Sequence, residues 1–177
     1  MGNIIVSEFI TLDGVIEGPE WSMPFFNEEI GKFKMDDLAA SDALLMGRVT
    51  YEIHAAAWPY EKDEFADWMN NIPKYVVSST LQQVEWNNSR LIKENIPEEI
   101  KKLKREISRD ILIDGGSDLV NLLMQHDLID EYRLLVHPIV LGKGKRLFQE
   151  GSPHRQLRLS EAKALSNGVV ALVYQPA

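Results

Sequence analysis

The sequence predicts an α/β fold: a mixed, mostly parallel sheet flanked by helices, with a C-terminal antiparallel hairpin. Three observations predict it. Short, almost continuous apolar runs such as "DALLMG" (42–47) and "DILID" (110–114) read as strands buried on both faces. Helix-periodic stretches alternate with these runs, as crossovers between parallel strands require. The tail "LRLSEAKALSNGVVALVYQ" has two β-rich arms around Asn167-Gly168, a strong short signal for a tight type I′ turn. At 177 residues, without repeats, low-complexity tracts or a linker, one domain over 1–177 is expected.

In chain order, "NIIVSEFITLDG" (3–14) opens as a β-rich run and ends on the turn signal Asp13-Gly14. In "NEEIGKFKMDDLAAS" (27–41), Ile30, Phe33 and Leu38 recur at roughly helical spacing. Asn27 is placed to cap that helix, and Glu28 and Glu29 suit its first turn. The strand 42–47 leads into "RVTYEIHAAAW", a predicted helix, and "KYVVSST" (74–80) is another strand. Residues 97–109 form a helix beginning at Pro97, a residue suited to a first turn. The strand 110–114 runs into "SDLVNLLMQHDL" (117–128), a helix with Ser117 as its expected cap. "EYRLLVHPIVLG" (131–142) reads as a long strand in which Pro138 requires an edge or a bulge.

Composition narrows the function. A net charge of −8 argues against a nucleic-acid partner, and the basic residues at 101–109 lie among Glu98, Glu99 and Glu106, as on a solvated helix face. No apolar run approaches the roughly 18 residues of a membrane span. "MGNIIVSEFI" lacks the basic region and cleavage site of a signal peptide, so no membrane partner is expected. The absence of cysteine excludes disulfides and thiolate zinc sites and is compatible with the cytoplasmic location expected. His54, His126, His137 and His154 show no metal-ligand spacing, and no metal is expected.

Ligands of open α/β sheets bind beyond the carboxyl ends of strands, which singles out three junctions: Met46-Gly47-Arg48, Ser78-Ser79-Thr80 and Gly115-Gly116-Ser117. Gly47, Gly115 and Gly116 let backbone approach a pyrophosphate, and the helix from Ser117 points free N–H groups at it. Arg48 and Thr50 can bond phosphate oxygens; Ser78, Ser79 and Thr80 gather hydroxyls suited to a ribose phosphate. The usual G-x-G-x-x-G spacing and a Walker lysine are absent. These residues alone define an anion- or nucleotide-binding domain, with a ligand-free tight turn at Gly115-Gly116 as the other reading.

"LLMGRVTYE" (44–52), "KYVVSST" (74–80) and "ILIDGGSDLVNLL" (111–123), in this order and at these separations, resemble the dihydrofolate reductase fold. More closely, they resemble the reductase domain that ends the bifunctional riboflavin-biosynthesis deaminase–reductase. "SEFITLDGVIEGP" (7–19), "DALLMGRVTYE" and "HPIVLGKGKRLF" (137–148) are similar to stand-alone bacterial members of that superfamily, so the resemblance covers essentially the whole chain.

The resemblance implies an NADPH-dependent reductase of a small planar heterocycle, an aminopyrimidine of riboflavin-biosynthesis type or a pteridine. The alternative is a catalytically silent nucleotide-binding homologue with a regulatory or interaction role. It implies phosphate contacts at Gly47, Arg48 and Thr50, adenosine contacts at Ser78, Ser79 and Thr80, and further contacts at Ser117, Asp118 and Leu119. Leu12-Asp13-Gly14 matches the loop that covers nicotinamide, and the paired glycines take an unusual, often cis, geometry against the cofactor. Asp13 and the first-helix carboxylate Glu29, with Glu28 adjacent, are the expected catalytic acids. Glu29 would bind an aminopyrimidine edge or, with its pKa raised towards neutrality, transfer a proton. The helix dipole alone also accounts for acids in a first turn.

Trp21, Phe25 and Phe26 are candidate walls of a planar-ligand pocket or ordinary core, and Val136 is a substrate position. His137 reads as a structural histidine or a proton carrier. Lys143 and Lys145 either meet a phosphate or belong to a loop whose Leu147 and Phe148 plug the core. Two departures weaken a folate reading. Segment 71–74 lacks the arginine that grips the folate carboxylate, leaving only Lys74, and Val136 replaces a threonine. Without cysteine, the zinc deaminase half is also impossible. Family members commonly pair, so a homodimer is implied.

Overall fold

The computed structural model describes residues 1–177. Its elements are β1 (Ile4–Thr11), α1 (Glu28–Ala39), β2 (Ser41–Gly47), α2 (Arg48–Ala57), α3 (Glu64–Asn71), β3 (Lys74–Val77) and β4 (Ser89–Ile92). There follow α4 (Ile96–Glu106), β5 (Asp110–Ile113), α5 (Ser117–Gln125), β6 (Glu131–His137), β7 (Leu157–Ala164) and β8 (Val170–Pro176). One sheet of eight strands runs in the order β4-β3-β2-β5-β1-β6-β8-β7. Pairing is parallel from β4 to β6 and antiparallel for β6–β8 and β8–β7, the mixed sheet and closing hairpin expected.

Each face of the sheet carries its own core. Ile4, Val6 and Ile10 of β1 pack with Ile111 and Ile113 of β5 against Ile100 and Leu103 of α4 and Leu119, Val120 and Leu123 of α5. On the other face, Ile5, Leu44, Met46 and Leu112 meet Leu38 of α1, Tyr51 of α2 and Met69 of α3. Alternation along the buried strands therefore feeds both layers, which is why they read as continuous apolar runs. Asn27 caps α1 as expected, its side chain accepting from Ile30 N at 3.0 Å.

Several boundaries differ. β3 ends at Val77, before Ser78-Ser79-Thr80, and β6 ends at His137 because Pro138 has no N–H for the ladder. Ile139 N turns back to His137 O at 2.8 Å. In the hairpin, Leu165 N donates to Val169 O at 2.8 Å, and of Asn167 and Gly168 only the glycine has positive φ, +86°. The link is a three-residue loop with a left-handed glycine, not a type I′ turn, which needs positive φ at both central residues. α3 and β4 were not anticipated. No helix is long and apolar enough to cross a membrane.

Candidate functional site

The sheet opens at one place. The β1–β5 ladder stops at Val6↔Ile113 and the β2–β5 ladder at Leu45↔Ile113. β1 nevertheless stays paired with β6 to Thr11↔His137, and β2 with β3 to Gly47↔Val77. Beyond Ile113 the chain leaves through Asp114, Gly115 and Gly116, so a slot remains between the carboxyl ends of β1 and β2. This is where ligands of open α/β sheets bind.

Backbone dictates the turn. Gly115 and Gly116 have φ of +96° and +99°, conformations that L side chains rarely adopt. A Cβ on Gly115 would also lie 3.1 Å from Thr50 Oγ1. What passes close to the paired glycines is thus Thr50 of α2. The cis bond expected here is not found, since the chain contains none; two positive φ angles make the turn instead. Gly47 differs. Its backbone is extended (φ −85°), and a Cβ there would meet nothing within 4 Å. Internal packing does not demand that glycine, and the open space before it suits a ligand pressed against backbone.

α2 and α5, which follow Gly47 and Gly116, both start without a side-chain cap. First-turn N–H groups and positive dipole ends of two helices therefore stand at the rim of the slot. Ser117 is not the cap of α5: it is the first helical residue, buried, and its Oγ accepts from Gln149 Nε2 at 2.9 Å. Asp118 is exposed but engaged, with Lys145 Nζ at 2.6 Å and Gln149 Nε2 at 3.2 Å; these donors lower its pKa. Leu119 packs in the core, so only its backbone reaches the rim. Arg48 meets Glu52 at 3.0 Å, an exposed pair worth about 0.3–0.5 kcal/mol that a phosphate can displace. The hydroxyl of Ser78 is committed to its own loop, accepting from Thr80 N and Leu81 N at 3.2 and 3.1 Å, while Ser79 and Thr80 stay exposed. Uncapped N–H groups, an open glycine and a displaceable guanidinium together fit a dinucleotide's pyrophosphate.

A cluster of aromatic side chains packs around the end of β6. Phe9, Trp21 and Phe25 surround His137 edge-on, with ring centroids 5.4, 5.1 and 5.6 Å away. His137 is buried, its Nδ1 on Leu135 O at 2.8 Å and its Nε2 without a partner, and burial lowers its pKa. Phe26 does not join this group; it is 61 % exposed beside Gly31. Val136 is also elsewhere, alternation placing it on the opposite face with the α5 core.

The expected acids are engaged differently from the expectation. Glu29 accepts from Ser166 N at 3.0 Å and from Ser166 Oγ, and these bonds lower its pKa rather than raise it. Asp13 accepts from Thr11 Oγ1 at 2.6 Å and Gly142 N at 2.8 Å, which hold it down at about 2. It latches its own loop, whose Leu12 is 67 % exposed, to the segment after β6. Lys74 cannot replace the missing arginine: it is fully buried and donates to Asn70 O, Ile72 O and Asn87 O. In the 141–148 loop Leu147 does plug the core, Phe148 stays 39 % exposed against Tyr132, and Lys145 is held by Asp118.

The slot's own charges were missed. Glu8 is 5 % exposed, and its Oε1 accepts from Gly115 N at 2.8 Å. Lys34 reaches in from α1 to Asp114 Oδ1 (3.3 Å) and Ser7 Oγ (3.0 Å), 5.1 Å from the Phe9 ring centroid. Ser7 Oγ in turn donates to Asp37, which Arg133 pairs at 2.6 Å. The available signal was a glutamate inside the apolar run "IIVSEFI".

A parallel sheet opened by a glycine turn, with two helix starts at the opening, is the architecture of the dihydrofolate reductase-like fold. The enzyme from Enterococcus faecalis complexed with NADP(H) superposes with a TM-score of 0.66 at 17 % identity, covering 99 % of this chain and 96 % of that one. The family can be stated more narrowly. The chain belongs to the RibD C-terminal domain family, whose model matches residues 3–171. It is 33 % identical over 176 residues to the uncharacterized protein YyaP of Bacillus subtilis (strain 168), covering 97 % of this chain and 93 % of YyaP. A protein from Shewanella sp. PV-4 provisionally assigned to riboflavin biosynthesis superposes with a TM-score of 0.78 at 25 % identity, covering 99 % of each chain.

Proposed function

We propose that the protein is an NADPH-dependent reductase of a small planar heterocycle, an aminopyrimidine of the riboflavin-biosynthesis type or a pteridine. One observation carries this reading: the slot between β1 and β2, bounded by the positive-φ pair Gly115-Gly116 and by open space at Gly47. Membership of the RibD C-terminal domain family and the likeness of fold to dihydrofolate reductase support it. The nicotinamide supplies the hydride when bound. The chain's residues bind and orient. Gly47, Arg48, Thr50, Ser117 and the first-turn N–H groups at Asp118 and Leu119 receive phosphates, and Ser79 and Thr80 the adenosine end. Phe9, Trp21 and Phe25 form an apolar wall, and the Asp13-latched loop covers the site. Glu29, kept ionised by Ser166, binds an N–H edge of the heterocycle through a charge-assisted hydrogen bond and does not itself carry the proton. A homodimer in the cytoplasm belongs to the proposal; β7 leaves one edge of the sheet unpaired.

The test is NADPH oxidation against aminopyrimidines and pteridines, with Glu29→Gln alongside. Turnover that falls in the variant through a raised KM supports the assignment. NADPH binding with no turnover of any heterocycle would favour the second reading, a silent homologue. The observation on its side is that Glu29 and Asp13 are both tied into loop contacts.

A further inference from the structure

We propose that Glu8 is a positioning residue for the dinucleotide: its carboxyl group holds the Gly115-Gly116 turn, and its loss of a proton weakens dinucleotide binding. This rests on the NADPH reading above. Along β1, Ile4, Val6 and Ile10 face the core beneath α5, and Glu8 occupies the same row. Glu8 instead puts one oxygen on Gly115 N at 2.8 Å, so the amide that starts the turn is fixed by this carboxyl. Its Oε2 takes no hydrogen bond from the chain, yet the only sealed side-chain atoms without a partner are Ser89 Oγ and His137 Nε2. Oε2 is therefore not fully sealed from solvent.

The charges around Glu8 are few. Asp114, at the end of β5, and Lys34, on α1, are the charged groups that act on it. Lys34 is shared with Asp114, at 3.3 Å, and has Asp37 behind it, itself paired with Arg133 of β6. His54 of α2 stands by Asp114, and burial lowers its pKa, so it supplies no cation near neutral pH. β6 sets Leu134 beside Glu8, and Asp118 of α5 is turned to Lys145. Burial first and Asp114 second push Glu8 up to about 8, with Lys34 and the Gly115 N–H acting the other way. Near neutral pH Glu8 is then uncharged, and the Asp114–Lys34 pair balances itself. Ionised, Glu8 would set a second anion one glycine away from the pyrophosphate, offset only by Lys34, which Asp114 already shares. A bound anion therefore favours the protonated acid. By linkage, affinity is full below about pH 8 and declines above it.

The test uses NADPH alone as the probe, titrated by fluorescence at pH values from about 7 to about 9.5. The proteins are the natural chain, Glu8→Gln and Asp114→Asn, each checked for folding by circular dichroism. For the natural chain Kd is expected to rise about tenfold between about pH 7 and about pH 9. Glu8→Gln keeps a carbonyl acceptor for Gly115 N without an ionisable proton, so its Kd should stay near the neutral-pH value throughout. Asp114→Asn removes the charge that pushes Glu8 up, so the decline should begin at lower pH. A flat profile in the natural chain, or the natural slope surviving in Glu8→Gln, overturns the assignment to Glu8 while leaving the NADPH reading intact. Should Glu8→Gln not fold, an unshifted profile in Asp114→Asn overturns it equally. Absence of NADPH binding by every protein at every pH overturns both.

Discussion

Lys34 Nζ lies 3.3 Å from Asp114 Oδ1, a contact that joins α1 to the end of β5 across the opening in the sheet. The same ammonium holds Ser7 O and Ser7 Oγ at 3.3 and 3.0 Å. Lys34→Met keeps the stem but leaves these acceptors, and the carboxylate, without a cation. Asp114 retains 31 % side-chain exposure and can rehydrate, which discounts the cost of breaking a fully buried pair. Urea denaturation is expected to show a loss of about 1–3 kcal/mol. An unchanged midpoint would remove Lys34 from the framework of the site.

Gly115→Ala combines a forced positive φ with a Cβ 3.1 Å from Thr50 Oγ1. A loss of about 1–3 kcal/mol is expected from the backbone conformation alone. Thr50→Ala in the same chain should recover the crowding share and leave the backbone share, so the double variant should be more stable than the sum of the singles. Thermal denaturation of the three variants checks this.

Glu8 also ties stability to pH. Its value is raised from 4.5 to about 8, so between these two pH values the folded chain binds a proton that the unfolded chain has lost. Unfolding free energy therefore falls as pH rises through this window and levels off above it. Glu8→Gln removes that fall, and the difference between the two proteins, read as urea midpoints at pH values from about 5 to about 9, should move in favour of the variant as pH rises. A constant difference would mean that Glu8 ionises normally.

Ser166→Ala deletes the hydroxyl that, with the Ser166 N–H, holds Glu29 below its ordinary value. A carbon-detected NMR titration should then show Glu29 titrating closer to an ordinary glutamate. An unmoved titration would show that the hairpin loop does not control this carboxylate.

The fold was largely legible because its buried strands and amphipathic helices carry local periodic signals, and Asn27 acts as the predicted cap. What escaped depends on contacts distant in sequence. "KYVVSST" shows no local sign that pairing ends at Val77, and Asn167-Gly168 reads as type I′ until Asn167 is seen held by Phe25 O and Val169 N. The junctions at Gly47-Arg48 and Gly115-Gly116-Ser117 were legible because each follows the end of an apolar run and precedes a helix. The interior of the slot was not, because Glu8, Lys34 and Asp114 are 26 or more positions apart and meet only where β1 and β5 separate. Glu29 and Asp13 were read from position alone, which does not reveal the partners that keep them ionised.

The most direct measurement is an NADPH titration of Gly47→Val. Position 47 is extended and a Cβ there meets nothing within 4 Å, so the substitution should cost no more than about 1 kcal/mol of stability. If the protein is an NADPH-dependent reductase, that vacant space is where the dinucleotide lies against the backbone. The natural chain should bind NADPH saturably at one site per chain, and the folded variant should bind at least tenfold more weakly. Equal affinity in a properly folded Gly47→Val protein, or no saturable binding by the natural chain, would contradict the proposed site.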